Sequence, residues 1–137
     1  LNRDINTRGA YIEQINIENI NYILVISRDN KNNYRYQIFE KNLQELICSV
    51  NLYENYIQNI YWDNSKQTLS IIKNPIKNRF GQINKYKVSR FNECFEFKVI
   101  SREIILNPME LQGFEQCDNK NYHIFTKNNN SFLFFEN

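Results

Sequence analysis

The chain is poor in glycine, proline and histidine, with three, two and one among 137 residues. Gly9, Gly81 and Gly113 stand far apart, so no glycine-rich loop can cradle a phosphate, and neither a Walker-type loop nor a dinucleotide fingerprint is present. Gly-x-Ser-x-Gly is missing too, and with it the nucleophile elbow. His123 alone cannot build a histidine-rich metal site. Between Tyr122 and Ile124 it reads as a strand histidine, facing solvent or satisfied by a neighbour, rather than as a general base. No catalytic residue, metal site or cofactor is expected.

Cysteine is scarce and odd in number. Cys48, Cys94 and Cys117 contain no C-x-x-C pair, which excludes zinc-ribbon and thioredoxin-type sites. The expectation is three reduced thiols packed as small hydrophobes in a reducing cytosol; one disulfide with one free thiol is the alternative for an exported chain. An excess of either charge is also lacking. Seventeen basic and 15 acidic residues leave a net charge of +2, with no basic stripe or acidic tail, which argues against nucleic acid as a partner. Residues 22–26, the longest apolar run near the start, fall far short of the roughly 20 that a membrane span needs. The chain therefore reads as a single cytoplasmic domain over residues 1–137, with no membrane partner.

Asparagine is what the chain has in abundance, at 24 residues. Asparagine tolerates positive φ and bonds its own backbone, so it is the natural substitute for glycine in tight turns. Runs at residues 28–33, 63–66, 118–121 and 128–130 are placed accordingly. The bias reflects an AT-rich genome, a matter of codons rather than chemistry. With 42 % hydrophobic and 15 % aromatic residues, the chain still has enough apolar material to bury a core.

Apolar segments between these runs read as strands at 11–17, 22–26, 34–38, 68–73, 85–90, 94–106, 109–117, 122–127 and 131–136. Of these, 22–26 is a continuous run, as in a strand buried on both faces, and it forms a hairpin with 34–38. Residues 74–84, with Pro75 and Gly81, read as a mobile surface loop. Residues 42–61 carry two signals. Leu43, Leu46, Ile47, Val50, Tyr53, Ile57 and Ile60 fall at helical steps, and Asn42/Glu45 and Asn51/Glu54 have cap spacing, while Leu46, Cys48 and Val50 also alternate as a strand. The helical pattern is the longer, so a helical segment is expected near 42–61. The fold class is mainly β (α+β): an antiparallel meander or barrel-like sheet of about eight to ten short strands with that one helix.

Three motifs suggest function. Glu96-Phe97-Lys98 resembles the second half of the PD-(D/E)xK nuclease motif, which implies a carboxylate for Mg²⁺ and an ammonium that orients water. Asp63 is the upstream acid, although Tyr61-Trp62 before it departs from the family's proline. Trp62 to Ile71 resembles the strand–turn–strand of a β-propeller blade, with looser echoes at 22–38 and 114–125, a spacing of roughly 45–52 residues. Phe95, Phe97, Phe132 and Phe134 would line the cavity of a small apolar-ligand barrel of lipocalin-like type.

With no catalytic constellation, the leading expectation is a non-catalytic protein-binding module. Its most concrete form is a small bacterial immunity protein that neutralises a toxin by surface complementarity. Candidate partner-binding residues are the aromatics Tyr53, Tyr56, Tyr61 and Trp62, which combine large area with a polar tip. The carboxylates Glu93, Glu96, Glu103, Glu110 and Glu115 could mimic phosphate against a nuclease toxin. The alternatives are the ligand barrel, a propeller fragment and a weak metal-dependent nuclease.

Overall fold

The computed structural model describes residues 9–28, 31, 33–42, 45–50, 52–74, 80–105 and 110–136. These form eleven antiparallel strands: β1 (Gly9–Ile17), β2 (Ile20–Arg28), β3 (Tyr34–Glu40), β4 (Leu46–Val50), β5 (Ile57–Asp63), β6 (Thr68–Lys73), β7 (Gly81–Phe91), β8 (Cys94–Ile105), β9 (Glu110–Cys117), β10 (Lys120–Lys127) and β11 (Asn130–Glu136). They make three open sheets, ordered β1-β2-β3-β4, β5-β6-β7-β8 and β9-β10-β11. Each sheet follows chain order, so every connection is a hairpin or short loop. Among the described residues no sheet closes into a barrel. By its contacts the chain divides into two compact units: Leu1–Asn55 with Trp62–Thr68 and Lys87–Lys98, and Tyr56–Tyr61 with Leu69–Tyr86 and Val99–Asn137.

Asparagine turns the chain at two of the four runs assigned to it, 118–121 and 128–130, while the 28–33 run lies in part outside the described residues. Positive φ occurs in pairs at Glu18-Asn19, Asn92-Glu93, Asp118-Asn119 and Asn128-Asn129. Each pair joins two strands with only two residues between them, and the twist of such a connection demands positive φ at both positions. In the 63–67 turn, Asp63 Oδ1 accepts bonds from Ser65 Oγ (2.7 Å) and Lys66 N–H (3.1 Å), and Gln67 takes the positive φ.

The helix expected near 42–61 is not formed; among the described residues there is none. Both parts that imitated helical spacing are strands with a break in alternation. Ile38 faces Cys48 while Phe39 faces Leu46, so Ile47 is an extra residue in the ladder. In β5 the buried positions are Ile57, Ile60 and Trp62, and Asn59 Oδ1 accepts the Ile60 N–H at 2.8 Å across the three-residue step. Leu43 and Asn51 lie outside the described residues. The strand count exceeds the expected range because β4 and β5 replace this helix. β7 also starts at Gly81, inside the predicted loop, with Gly81, Ile83 and Asn84 buried; residues 75–79 lie outside the description.

The first unit packs around β2, which is buried at Leu24–Ser27 without alternation, as its continuous apolar run implied. Leu24 faces Ile38 and Ile26 faces Tyr36. The Tyr36 hydroxyl donates to the Glu54 carbonyl (2.5 Å) and accepts from the Glu54 N–H (3.2 Å), pinning the loop after β4. Tyr22 and Phe95 meet edge to face at 4.8 Å, with the Arg90 guanidinium 4.5 Å from the centre of Phe95. The expectation of three reduced thiols is overturned. Cys48 and Cys94 are disulfide-bonded, because β4 and the start of β8 bring their Cα atoms to 5.7 Å, within bridging range. Cys117 is free and exposed.

The second unit has a core of Ile72, Ile83, Leu111, Phe114 and Phe125, flanked by Tyr61 and Ile105. The β9–β10 register shifts between Ile124 and Phe125, leaving Gln112 unmatched. That extra residue lets Leu111 and Phe114 both point inward. Gly81 is required here, since a Cβ on it would come within 2.6 Å of Leu111 Cβ.

A candidate interaction edge on β11

The predicted aromatic partner residues are divided between the two units. Without the helix, Tyr53 and Tyr56 lie in the loop between β4 and β5, the former 91 % exposed, the latter at positive φ. Tyr61 is half-buried, its ring 5.9 Å edge-on to Phe114 and its hydroxyl donating to the Gln116 carbonyl at 3.5 Å. Trp62 is buried, with Nε1 3.4 Å from Asn64 Oδ1. Tyr53 and Trp62 belong to the first unit, Tyr56 and Tyr61 to the second. Of the two β5 aromatics, Trp62 is buried and Tyr61 packs against the margin of the second unit's core.

The carboxylates are divided as well, Glu93 and Glu96 in the first unit and Glu103, Glu110 and Glu115 in the second. Glu93 is exposed in the β7–β8 turn, Glu103 on β8 and Glu115 on β9; Glu110 begins β9, its side chain outside the description. Glu96 lies 3.8 Å from Lys98 in an exposed ion pair. Asp63, the upstream acid of the nuclease pattern, is taken up by its own turn. Burial raises the Asp63 carboxyl, but the bonds from Ser65 and the Lys66 backbone and the Lys66 charge outweigh it and hold it below the usual carboxylate value. No group of three metal-binding side chains occurs among the described residues. His123 is buried in the second unit, between the rings of Phe114 (5.3 Å) and Phe125 (6.0 Å).

What stands out instead is β11, the edge of the three-stranded sheet. Phe132, Leu133, Phe134 and Phe135 are 42, 65, 43 and 63 % exposed, and Ile124 on β10, facing Leu133, is 45 % exposed. Alternation puts Phe132 and Phe134 on the face of Phe125 and His123, and Leu133 and Phe135 on the face of Ile124 and Tyr122. Phe134 meets Phe125 edge to face at 5.4 Å, and Lys120 Nζ sits 5.4 Å over Phe135. The strand is thus apolar on both faces, and among the described residues each of these side chains keeps two-fifths or more of its surface exposed. Phe132 and Phe134, expected inside a barrel, are left at the rim, since among the described residues no strand pairs with the outer side of β11.

The backbone of β11 is open as well. A two-residue hairpin loop closes on a hydrogen-bonded pair, here Lys127 and Asn130. The ladder alternates from that point, so the N–H and C=O groups of Ser131, Leu133 and Phe135 point away from β10. Exposed edges are normally blunted by charge, proline or a covering element. The outer end of β8 carries Lys98, Arg102 and Glu103, and β4 is tied by the disulfide. Residues 131–135 carry no charge or proline, and no described strand pairs with their outer side. Sequence reasoning flagged the Phe132/Phe134 alternation but missed the edge, because which strand lies outermost depends on sheet order. Set against known proteins, the chain matches no family model, no curated sequence and no solved structure.

Proposed function

We propose that the protein is a non-catalytic binding module that takes another polypeptide as an added strand on β11. The observation that carries this reading is the uncharged, apolar, uncovered edge at residues 131–135. Strand addition draws affinity from main-chain hydrogen bonds and specificity from side chains on alternate faces, and β11 offers both. An immunity protein that neutralises a toxin is the most concrete member of this class, since it needs a stable scaffold and a complementary surface. The carboxylate-mimic version draws no support from the scattered glutamates, nor the ligand barrel from open sheets. The test is capture from the native cells by the wild-type protein and by Leu133→Lys and Phe135→Lys. A stoichiometric protein partner retained by wild type and lost by both variants is expected. A partner held equally by all three would show that β11 is not the site.

A second reading is favoured by sheet size. Two four-stranded meanders are followed by a three-stranded one in chain order, and four-stranded meanders are the blades of a β-propeller. Here the fourth strand beside β11 would belong to the same polypeptide. The intact mass of the native protein decides it: 16.7 kDa would remove the propeller reading, and a mass larger by one or more blades would support it.

A further inference from the structure

We propose that, when no partner is bound, β11 pairs antiparallel with β11 of a second copy, so that the homodimer and the partner complex exclude each other. This rests on the reading of β11 as the binding edge and names what covers it at rest. The exposed fractions of Phe132, Leu133, Phe134, Phe135 and Ile124, at about 200 Å² for each large apolar side chain, leave roughly 500 Å² of apolar surface. It is divided between the two faces of the sheet. Pairing edge to edge would cover the part of it that lies along the outer side of β11, which places the contact in the weak, transient class of interface.

The chemistry of the strand suits a copy of itself. An antiparallel self-pair must oppose residues whose main-chain groups both point outward, which here are Ser131, Leu133 and Phe135. A two-fold axis through Leu133 does this, setting Leu133 against Leu133 and Ser131 against Phe135. The same register sets Phe132 opposite Phe134 on the other face, a favourable cross-strand aromatic pair. Residues 131–135 are uncharged, so no like charges meet. The outer half of β8 could not do the same as readily, since Lys98, Arg102 and Glu103 stand on it.

Sedimentation velocity of the purified chain, from low micromolar to about 100 µM, tests the proposal. The expected result is a concentration-dependent dimer. Leu133→Lys, which would set two ammonium groups face to face, should weaken it by about tenfold or more. Leu133→Pro removes the central outward N–H and adds no charge, and should weaken it similarly. Both are judged at unchanged far-ultraviolet dichroism; Phe135→Lys replaces either that fails to fold. A wild-type monomer throughout the range, or a dimer indifferent to these changes, would overturn self-pairing. The capture experiment is scored separately: a monomer that binds a partner through Leu133 would leave the binding edge standing and remove only the homodimer.

Discussion

Breaking the Cys48–Cys94 bond is the sharpest perturbation the fold offers. The two cysteines are 46 residues apart in sequence, and closing a loop of that length removes about 4 kcal/mol of chain entropy from the unfolded state. Both half-cystines are only partly buried, so little packing is lost on substitution and the loop term should dominate. Both also lie in the first unit, as does Trp62, the only tryptophan and a buried one. Tryptophan fluorescence therefore reports on the unit that the bond constrains. In denaturant titrations the Cys48→Ser/Cys94→Ser variant should lose about 4 kcal/mol relative to wild type, or roughly 10–15 °C in a thermal scan. Thiol titration of the unreduced wild type should count one free thiol, Cys117. A loss below about 1 kcal/mol with all three thiols free in the wild type would refute the reasoning. In a compartment that reduces the bond, the chain would have to stand without this contribution.

Tyr36→Phe should cost about 2–3 kcal/mol, because it leaves the buried Glu54 N–H and C=O without the hydroxyl that meets both; the same fluorescence titration reads it. Gly81→Ala should cost about 1–3 kcal/mol by forcing Leu111 away. Gly113→Ala is its control and should be close to neutral, since the nearest atom is Asn59 Nδ2 at 3.7 Å. Two groups set opposite ends of the pH profile of the first unit. Asp63, held low in the fold, contributes stability above its unfolded value of about 3.9 that is lost as pH falls through its depressed folded value. Tyr11, pushed up first by burial and then by neighbouring Tyr34 against the pull of Arg28, contributes stability below about pH 10 that is lost as pH rises through its raised folded value. Asp63→Asn should flatten the acid limb and Tyr11→Phe the alkaline one. The acid effect is small, because Asp63 is largely solvated.

Local chemistry was legible and non-local geometry was not. The turn at 128–129 could be read from its asparagines, since positive φ follows from residue type; the turns at Glu18-Asn19 and Asn92-Glu93 escaped notice because glutamate is no turn former. Strand β6 was read at its observed bounds. The region 42–61 misled because Ile47 is an extra residue in the β3–β4 ladder and the buried positions of β5 step by three from Ile57 to Ile60. The first depends on pairing with β3, which no local window contains; the second coincides with the bond from the Ile60 N–H to the Asn59 side chain. The disulfide was hidden for a related reason, since only the placement of β4 near the start of β8 makes distant cysteines adjacent.

The edges of the three sheets explain why the proposed binding edge falls in the same blind spot. Alternation tells which side chains share a face, yet a strand with neighbours on both sides and one at an edge alternate alike. Phe132 and Phe134 follow the pattern of Phe95 and Phe97, and of those four only Phe95 is fully buried. Burial of the inward set depends on what lies beyond the last strand, which no local window contains. Composition does leave one trace. The outer half of β8 is studded with charge, whereas β11 carries none from Ser131 to Phe135. Uncharged edge strands invite pairing with another chain, and β11 offers outward main-chain groups together with apolar side chains, the two features that an added strand would use.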